Sequence, residues 1–370
     1  MTRALALLVT LWSAPLAAQT SPAEAAKVAA EQLAAAANLL AAAEGGRDRV
    51  AALTATVQAY EAGLVALRDG LRRAAIRRYA LEAELAAKSD EVAQLLGVLE
   101  TMGRAPAPLL LLHPLGPTGT ARSGMLMADV TPALQARTEA LKAQLDELAI
   151  LQALQEDAAG RLALGLDGAQ EARTALSTAI QDRTDLPMSF IEDPVQTALL
   201  IASAETLDAF ASSLGDLPVD QDGAPSATAT GSLALPVFGT VLRKFGEPDA
   251  AGVSRPGIVI ATRPRALVTT PIAATLRFRG PLLTYSNVVI LEPAAGVLFV
   301  LAGLAETFGE TGEILPVGAP VGLMGGESPA VDAILRETDQ GNGAQANETL
   351  YLEVREGQGP VNPAIWFAYE

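Results

Sequence analysis

The 370-residue chain has no cysteine, a single histidine (His113) and aromatic side chains at only 4% of its positions. Without cysteine there are no disulfides and no thiolate metal sites, so packing alone must hold the fold. One imidazole, with no carboxylate near it in sequence, cannot build a zinc centre at His113. Positive charge is also scarce. The 26 Lys and Arg residues face 42 Asp and Glu, a net charge of −16, which argues against nucleic acid and anionic lipid as partners. Beyond the first twenty residues, no run of 18 uninterrupted apolar residues occurs, so no stable membrane insertion is expected of the processed chain. Few aromatics, with Ala and Leu dominant over residues 21–215, point to long helices rather than one thick core.

What is present begins with Arg3, the apolar stretch Ala4–Trp12 and the small residues Ala14, Ala17 and Ala18. This is the layout of a secretory signal cleaved near Ala18 to Thr20, and the apolar stretch is short for an uncleaved anchor. From Val50, apolar residues recur at alternating steps of three and four through Leu53, Val57, Tyr60, Leu64, Leu67, Leu71, Leu81, Leu85, Val92 and Leu99. A repeat of 3.5 held for about seven heptads is a coiled-coil seam. Residues 25–101 are therefore expected to form one rod on the order of 110 Å long.

Gly103-Arg104-Ala105-Pro106 must end that rod, because proline removes an amide donor and clashes with the preceding turn. A second helix, from about Ser123 to Arg183, carries Leu134, Leu141, Leu145, Leu148, Leu151 and Leu154, and an antiparallel hairpin over 21–186 would let each rod bury the other's stripe. Leu109, Leu110, Leu111 and Leu112 fall at the presumed tip. There they form either an exposed partner-binding patch or a small cluster with Met125, Leu126 and Met127.

Asp193-Pro194 announces a third helix within residues 187–215, with Asp as cap and Pro at the first helical position. Its apolar residues include Val195, Leu199 and Phe210. Residues 216–232 are rich in Pro, Gly, Ala and Thr and read as a linker. The texture then changes to short β-rich runs at 257–261, 274–278, 287–291, 297–301, 321–323 and 350–354, which predict a compact antiparallel domain over 233–370. The fold class expected is α+β: a long antiparallel α-helical coiled-coil hairpin followed by a small antiparallel β domain.

The closing segment Thr349-Leu350-Tyr351-Leu352-Glu353-Val354-Arg355, followed by Pro360-Val361-Asn362-Pro363-Ala364-Ile365-Trp366, resembles the last strand of lysostaphin/LytM-type zinc peptidases. In that family the strand reads His-x-His-Phe-Glu-Val-Arg. Phe238-Gly239, Phe245-Gly246, Pro271-Ile272-Ala273-Ala274 and Val317-Gly318-Ala319-Pro320 fit the same scaffold. The resemblance implies zinc ligands in a His-x-Gly-x-Asp motif and in the final His-x-His. This chain has Arg255 and Val259 in the first motif, Gly303 where an assisting His is usual, and Thr349 and Tyr351 in the last. None of these can serve, and the Arg255 cation would oppose a metal ion.

A coiled coil followed by a degenerate LytM-type domain is similar to the EnvC-type murein hydrolase activators. That resemblance implies a periplasmic, non-enzymatic protein with no cofactor, acting in septal cell-wall splitting during cell division. Its coiled coil would dock on an FtsEX-type ABC complex. Its vacated groove would bind a zinc-dependent peptidoglycan (N-acetylmuramoyl-L-alanine) amidase, with Val195, Leu199 and Phe210 of the third helix covering the groove at rest. The groove residues so implied are Arg255, Val259, Tyr285, Gly303, Tyr351, Glu353 and Arg355. Two readings stay open at Arg355, which either pairs with an acidic group of the partner as an exposed cation or forms a local ion pair with Glu353 or Glu356. Tyr351 either contacts the partner or plugs the cavity, and Tyr285 either lines the groove or is a core aromatic. Two rival functions are an active zinc metalloendopeptidase cutting peptidoglycan cross-links and a periplasmic adaptor of an efflux or secretion system. The direct start of helix after the signal segment disfavours the adaptor.

Overall fold

The computed structural model describes residues 22–88, 90, 93–94, 97, 100, 116–183, 186–189, 194–204, 206–215, 231–249, 252–283, 285–339, 348–357 and 359–369. The signal segment, Leu109–Leu112, His113 and the linker residues 216–230 lie outside them.

Helix α1 (Pro22–Ala42) is alanine-rich, the best intrinsic helix composition. The predicted continuous rod breaks after it. Gly45 is extended (φ −114°, ψ 166°) and precedes α2 (Gly46–Ala87). The glycine pair, the costliest helix interior in this stretch, lets the chain fold back. α1 then packs along α2 with Ala29 beside Gly63. The long helix α3 (Gly116–Gln181) lies on α2 as the second arm of the hairpin.

The expected stripe is buried along much of α2, whereas Leu145 and Leu154, expected in the stripe of the second arm, are 49% and 53% exposed. Val50, Leu53, Val57, Leu64, Leu71 and Leu81 are buried, as are Leu162, Ala169 and Leu176 of α3. By length and composition α2 is apolar enough to cross a membrane, and half of its most apolar window is buried inside the protein. One buried ion pair crosses the seam. Arg173 donates to Glu61 at 2.8 Å, and the backbone N–H of Leu267, from the β domain, donates to the same carboxylate at 3.0 Å.

After the hairpin, helices α4 (Pro194–Ser203) and α5 (Leu207–Gly215) precede the β domain. Its strands are β1 (Gly239–Arg243), β2 (Ile258–Thr262), β3 (Leu267–Thr269), β4 (Ala274–Pro281), β5 (Asn287–Ala294), β6 (Val297–Thr307), β7 (Ile314–Leu315), β8 (Pro320–Met324), β9 (Glu348–Glu356) and β10 (Gly359–Val361). They form one antiparallel sheet in the order β1-β2-β9-β6-β5-β4-β7, with β10 beside β9 and β8 joining β3 to β6. Each predicted β run lies within an observed strand, give or take a terminal residue. The short strands β1, β3, β7 and β10 were not legible, because a run of two to five residues shows too little alternation.

Residues 328–347 read from sequence as an insertion-like loop. Part of that segment is instead helix α6 (Val331–Asp339), whose Ile334 packs against Leu64, Leu71 and Leu162 of the helical hairpin. Nearer the base of the hairpin Val50, Leu53, Val57 and Leu176 share a core with Leu267, Phe308 and Leu323. Arg183, just past α3, grips the nearly buried Glu313 through both carboxylate oxygens, at 2.8 and 3.2 Å. The base of the hairpin is thus docked on the sheet rather than free of it.

Candidate docking groove beneath a helix

The central strand β9 alternates as a two-faced strand must. Leu350, Leu352 and Val354 face a core with Phe299, Trp366 and Phe367. Tyr351, Glu353 and Arg355 face the other side. All six are buried, because a helix covers the second face. Strand register gathers the expected groove residues on that side. Tyr351 sits opposite Val259 on β2 and Ala302 on β6, while Glu353 and Arg355 sit opposite Val300 and Leu298. Tyr285 borders the same cluster, and the exposed Arg255 places its guanidinium 5.8 Å from the Tyr285 ring centre, within cation–π reach.

Two glycines shape this face. Gly303 has φ +101°, and a Cβ there would stand 2.7 Å from the Thr349 carbonyl oxygen, so the position has no room for a side chain. A Cβ on Gly257 would meet the Tyr351 ring at 2.6 Å, so this glycine makes space for that ring. Tyr351 donates to Glu353 at 2.7 Å and fills the site as a bonded plug.

The cover is α5. Thr206 caps it, accepting from the Ala209 N–H at 3.1 Å through its hydroxyl. That cap also divides the helix predicted over 194–214, since α4 and α5 are separate. Leu207, Phe210, Ala211 and Leu214 pack on Phe278, Val288, Ile290, Val300 and Tyr351. Phe210 meets Phe278 edge to face with centroids 4.7 Å apart.

Val195 and Leu199, expected to cover the groove with Phe210, do not. They lie on the outer side of α4 and are 75% and 68% exposed. The apolar residues of this segment ring the helix widely, so the helical period alone could not say which side turns inward. Leu200, Ile201 and Ala204 are the ones that border the cluster.

Two buried arginines pin α5 at its ends. Arg355, for which an exposed partner-binding cation and a local ion pair were both open, is 1% exposed. It donates to Glu353 at 2.7 Å, to the Ser212 hydroxyl at 2.6 Å and to Asp208 in the first turn of α5. The local pair with Glu353 is therefore present, extended by a helix that sequence reasoning did not connect to it. Arg277 on β4 pairs with Glu292 at 2.6 Å and donates to the Leu214 carbonyl at 3.0 Å, capping the negative end of the helix. Asp208 and Ser212 stand one turn apart on the same helix face, a spacing visible in sequence. Nothing there named their target.

The electrostatics follow from burial. Desolvation raises the Glu353 pKa, against the hydrogen bonds from Tyr351 and Arg355. Desolvation also raises that of Tyr351, and the neighbouring Glu353 charge adds to it. For Arg355 burial acts downward, but the bonds to Asp208 and Glu353 outweigh it and the net shift is up. The network is a charged latch under a hydrophobic cover. Among the described residues no group of three or more His, Cys, Asp and Glu side chains is placed to hold a metal ion.

No family model matches the chain, and no curated protein matches it. Solved structures do resemble part of it. A Pseudomonas aeruginosa structure named for peptidase M23 is 16% identical over 47% of this chain and 63% of its own length, with a TM-score of 0.32. This chain therefore spans less than two thirds of that protein. A zinc-containing peptidase from Vibrio cholerae is 14% identical over 39% of this chain and 41% of its own, with a TM-score of 0.29. A SpoIIQ–SpoIIIAH pore-forming complex contains a chain 20% identical over 37% of this one and 91% of its own, also with a TM-score of 0.29.

Proposed function

We propose that this protein is an exported, non-enzymatic regulator that switches on a zinc-dependent N-acetylmuramoyl-L-alanine amidase during septal cell-wall splitting. The groove around Val259, Tyr285, Tyr351 and Arg355 is its docking surface, and α5 is the removable cover. The coiled-coil hairpin receives the signal, from an FtsEX-type ABC complex in the periplasm, and Leu109–Leu112, which fall between its two arms in sequence, are its point of attachment. The observation that carries the reading is that α5 buries the face holding Tyr351 and Val259, fastened through Arg355 and Asp208. A surface kept covered by a separable helix is suited to conditional binding. A binding rather than a cutting role is further supported by Gly303, which has no space for the assisting histidine of a peptidase, and by Tyr351, which is engaged with Glu353.

The test is reconstitution of amidase activity on purified peptidoglycan with the full chain and with Phe210→Asp, which expels the cover. The variant is expected to activate an amidase that the parent leaves quiet. Activation equal in both would discard α5 as the switch. Release of cross-bridge peptides by the chain with zinc alone, abolished by a chelator, would reverse the assignment in favour of a metalloendopeptidase.

A further inference from the structure

A second site lies where the coiled coil meets the β domain. There a cavity of about 330 Å³ opens between α2, α3, β1, β2 and the Ser328-Pro329 turn. Its walls are apolar at Leu64, Val65, Leu166 and Phe238, whereas three guanidiniums, those of Arg68, Arg173 and Arg263, share it with one carboxylate, Glu61. In a chain of net charge −16 this is a local reversal of sign.

Arg173 pairs with Glu61 through one carboxylate oxygen, leaving Glu61 Oε2 and Arg173 Nε buried without a hydrogen-bond partner. Arg68 is 8% exposed, its Nε has no hydrogen-bond partner, and neither Arg68 nor Arg263 forms an ion pair among the described residues. Burial, then repulsion from Arg263, pulls the Arg68 pKa down to about 10, with Glu337 pulling weakly the other way. An unpaired buried cation is among the costlier arrangements in a folded protein. Arg68 is such a cation, and the half-buried Arg263 at the same cavity has only the charge of Glu61, already paired with Arg173, to offset it; an anion there completes the set.

We infer that this cavity binds a short peptide through its free C-terminal carboxylate, held between Arg68 of the coiled coil and Arg263 of the β domain. A planar carboxylate matches the guanidinium fork. The apolar walls suit side chains and suit poorly the strongly hydrated dianion of inorganic phosphate. Gly239 and Thr240 of β1, the outermost strand in the sheet order, form a further wall and offer backbone groups to an extended chain. Ala261 follows Val259 by two on β2, which places the cavity on the same sheet face as the covered groove. Because the two arginines come from different layers, the ligand would fasten the hairpin to the sheet.

This inference does not depend on the amidase reading, and its experiment contains no amidase. The thermal midpoint and calorimetric binding of the full chain are measured with N-acetyl-Ala-Ala, with its C-terminal amide, with inorganic phosphate and with sodium chloride at matched ionic strength. The free-acid dipeptide is expected to bind saturably and raise the midpoint, while the amide does neither. R68Q and R263Q should each weaken binding at least ten-fold. R68M, which removes a buried unpaired charge, should leave the ligand-free midpoint unchanged or higher. Equal effects of acid and amide, effects reproduced by chloride, binding by phosphate alone, or full binding in the more exposed R263Q variant would each overturn the assignment.

Discussion

Arg355 on the central strand donates to Asp208 in the first turn of α5, 147 residues earlier in the chain, from a position 1% exposed. The carboxylate, by contrast, is 59% exposed on its side chain. With α5 in place the cation is buried while its partner is largely exposed. If α5 lifts, Asp208 returns to water easily and Arg355 keeps Glu353. The latch is asymmetric, with its release cost set by packing more than by charge.

That asymmetry orders three substitutions. Phe210→Ala removes a ring with no exposure from the α5 core and is expected to weaken docking by about 3–5 kcal/mol. Asp208→Asn should cost roughly 1 kcal/mol, since Arg355 keeps the Glu353 carboxylate. Val195→Ser and Leu199→Ser should fall within about 0.5 kcal/mol of the parent. Amide hydrogen exchange across 207–215 reads the order directly, and Val195→Ser opening α5 as far as Phe210→Ala does would contradict the assignment of faces.

Glu61 anchors both α3 and the backbone of β3. Glu61→Ala should destabilise by about 3–5 kcal/mol, because it strands the buried Arg173 and one amide. The double change Glu61→Leu, Arg173→Leu should recover much of that loss. Denaturant unfolding of the two variants decides it, and a double variant no better than the single would show the pair is more than a self-cancelling charge.

Burial raises the pKa of both Glu61, against the pull of Arg173, and Glu353. Between the ordinary glutamate value and the raised one, the native state holds more protons than the unfolded chain. Stability therefore falls as pH rises through that window, and the contribution is fully present only below the ordinary value. Glu353→Gln should flatten the decline of the thermal midpoint as pH rises above the ordinary glutamate value. An undiminished slope in both Glu353→Gln and Glu61→Gln would place the titration elsewhere.

Gly303→His restores the side chain that the peptidase resemblance expects, at a backbone of φ +101°. It should not gain zinc affinity. Instead it should lose about 1–3 kcal/mol or more, from strain and from the clash with the Thr349 carbonyl. Isothermal titration with zinc alongside thermal unfolding tests both halves, and stoichiometric zinc in either the parent or the variant would count against a vacated site.

The periodicities in the sequence determined the seam from Val50 to Leu81 and the main strands of the sheet. Each depends on spacing along one element, and a helix or strand carries that information locally. Tertiary structure alone decided that Gly45-Gly46 turns α1 back, that α6 and the base of the hairpin lean on the sheet, and that Phe210 rather than Val195 or Leu199 faces inward. It also decided that Arg355 is buried under Asp208 and that Arg68 meets Arg263. These depend on contacts between residues far apart in the chain. A helix ringed with apolar side chains, or an arginine at a strand end, is compatible with several partners until the packing of the whole selects one.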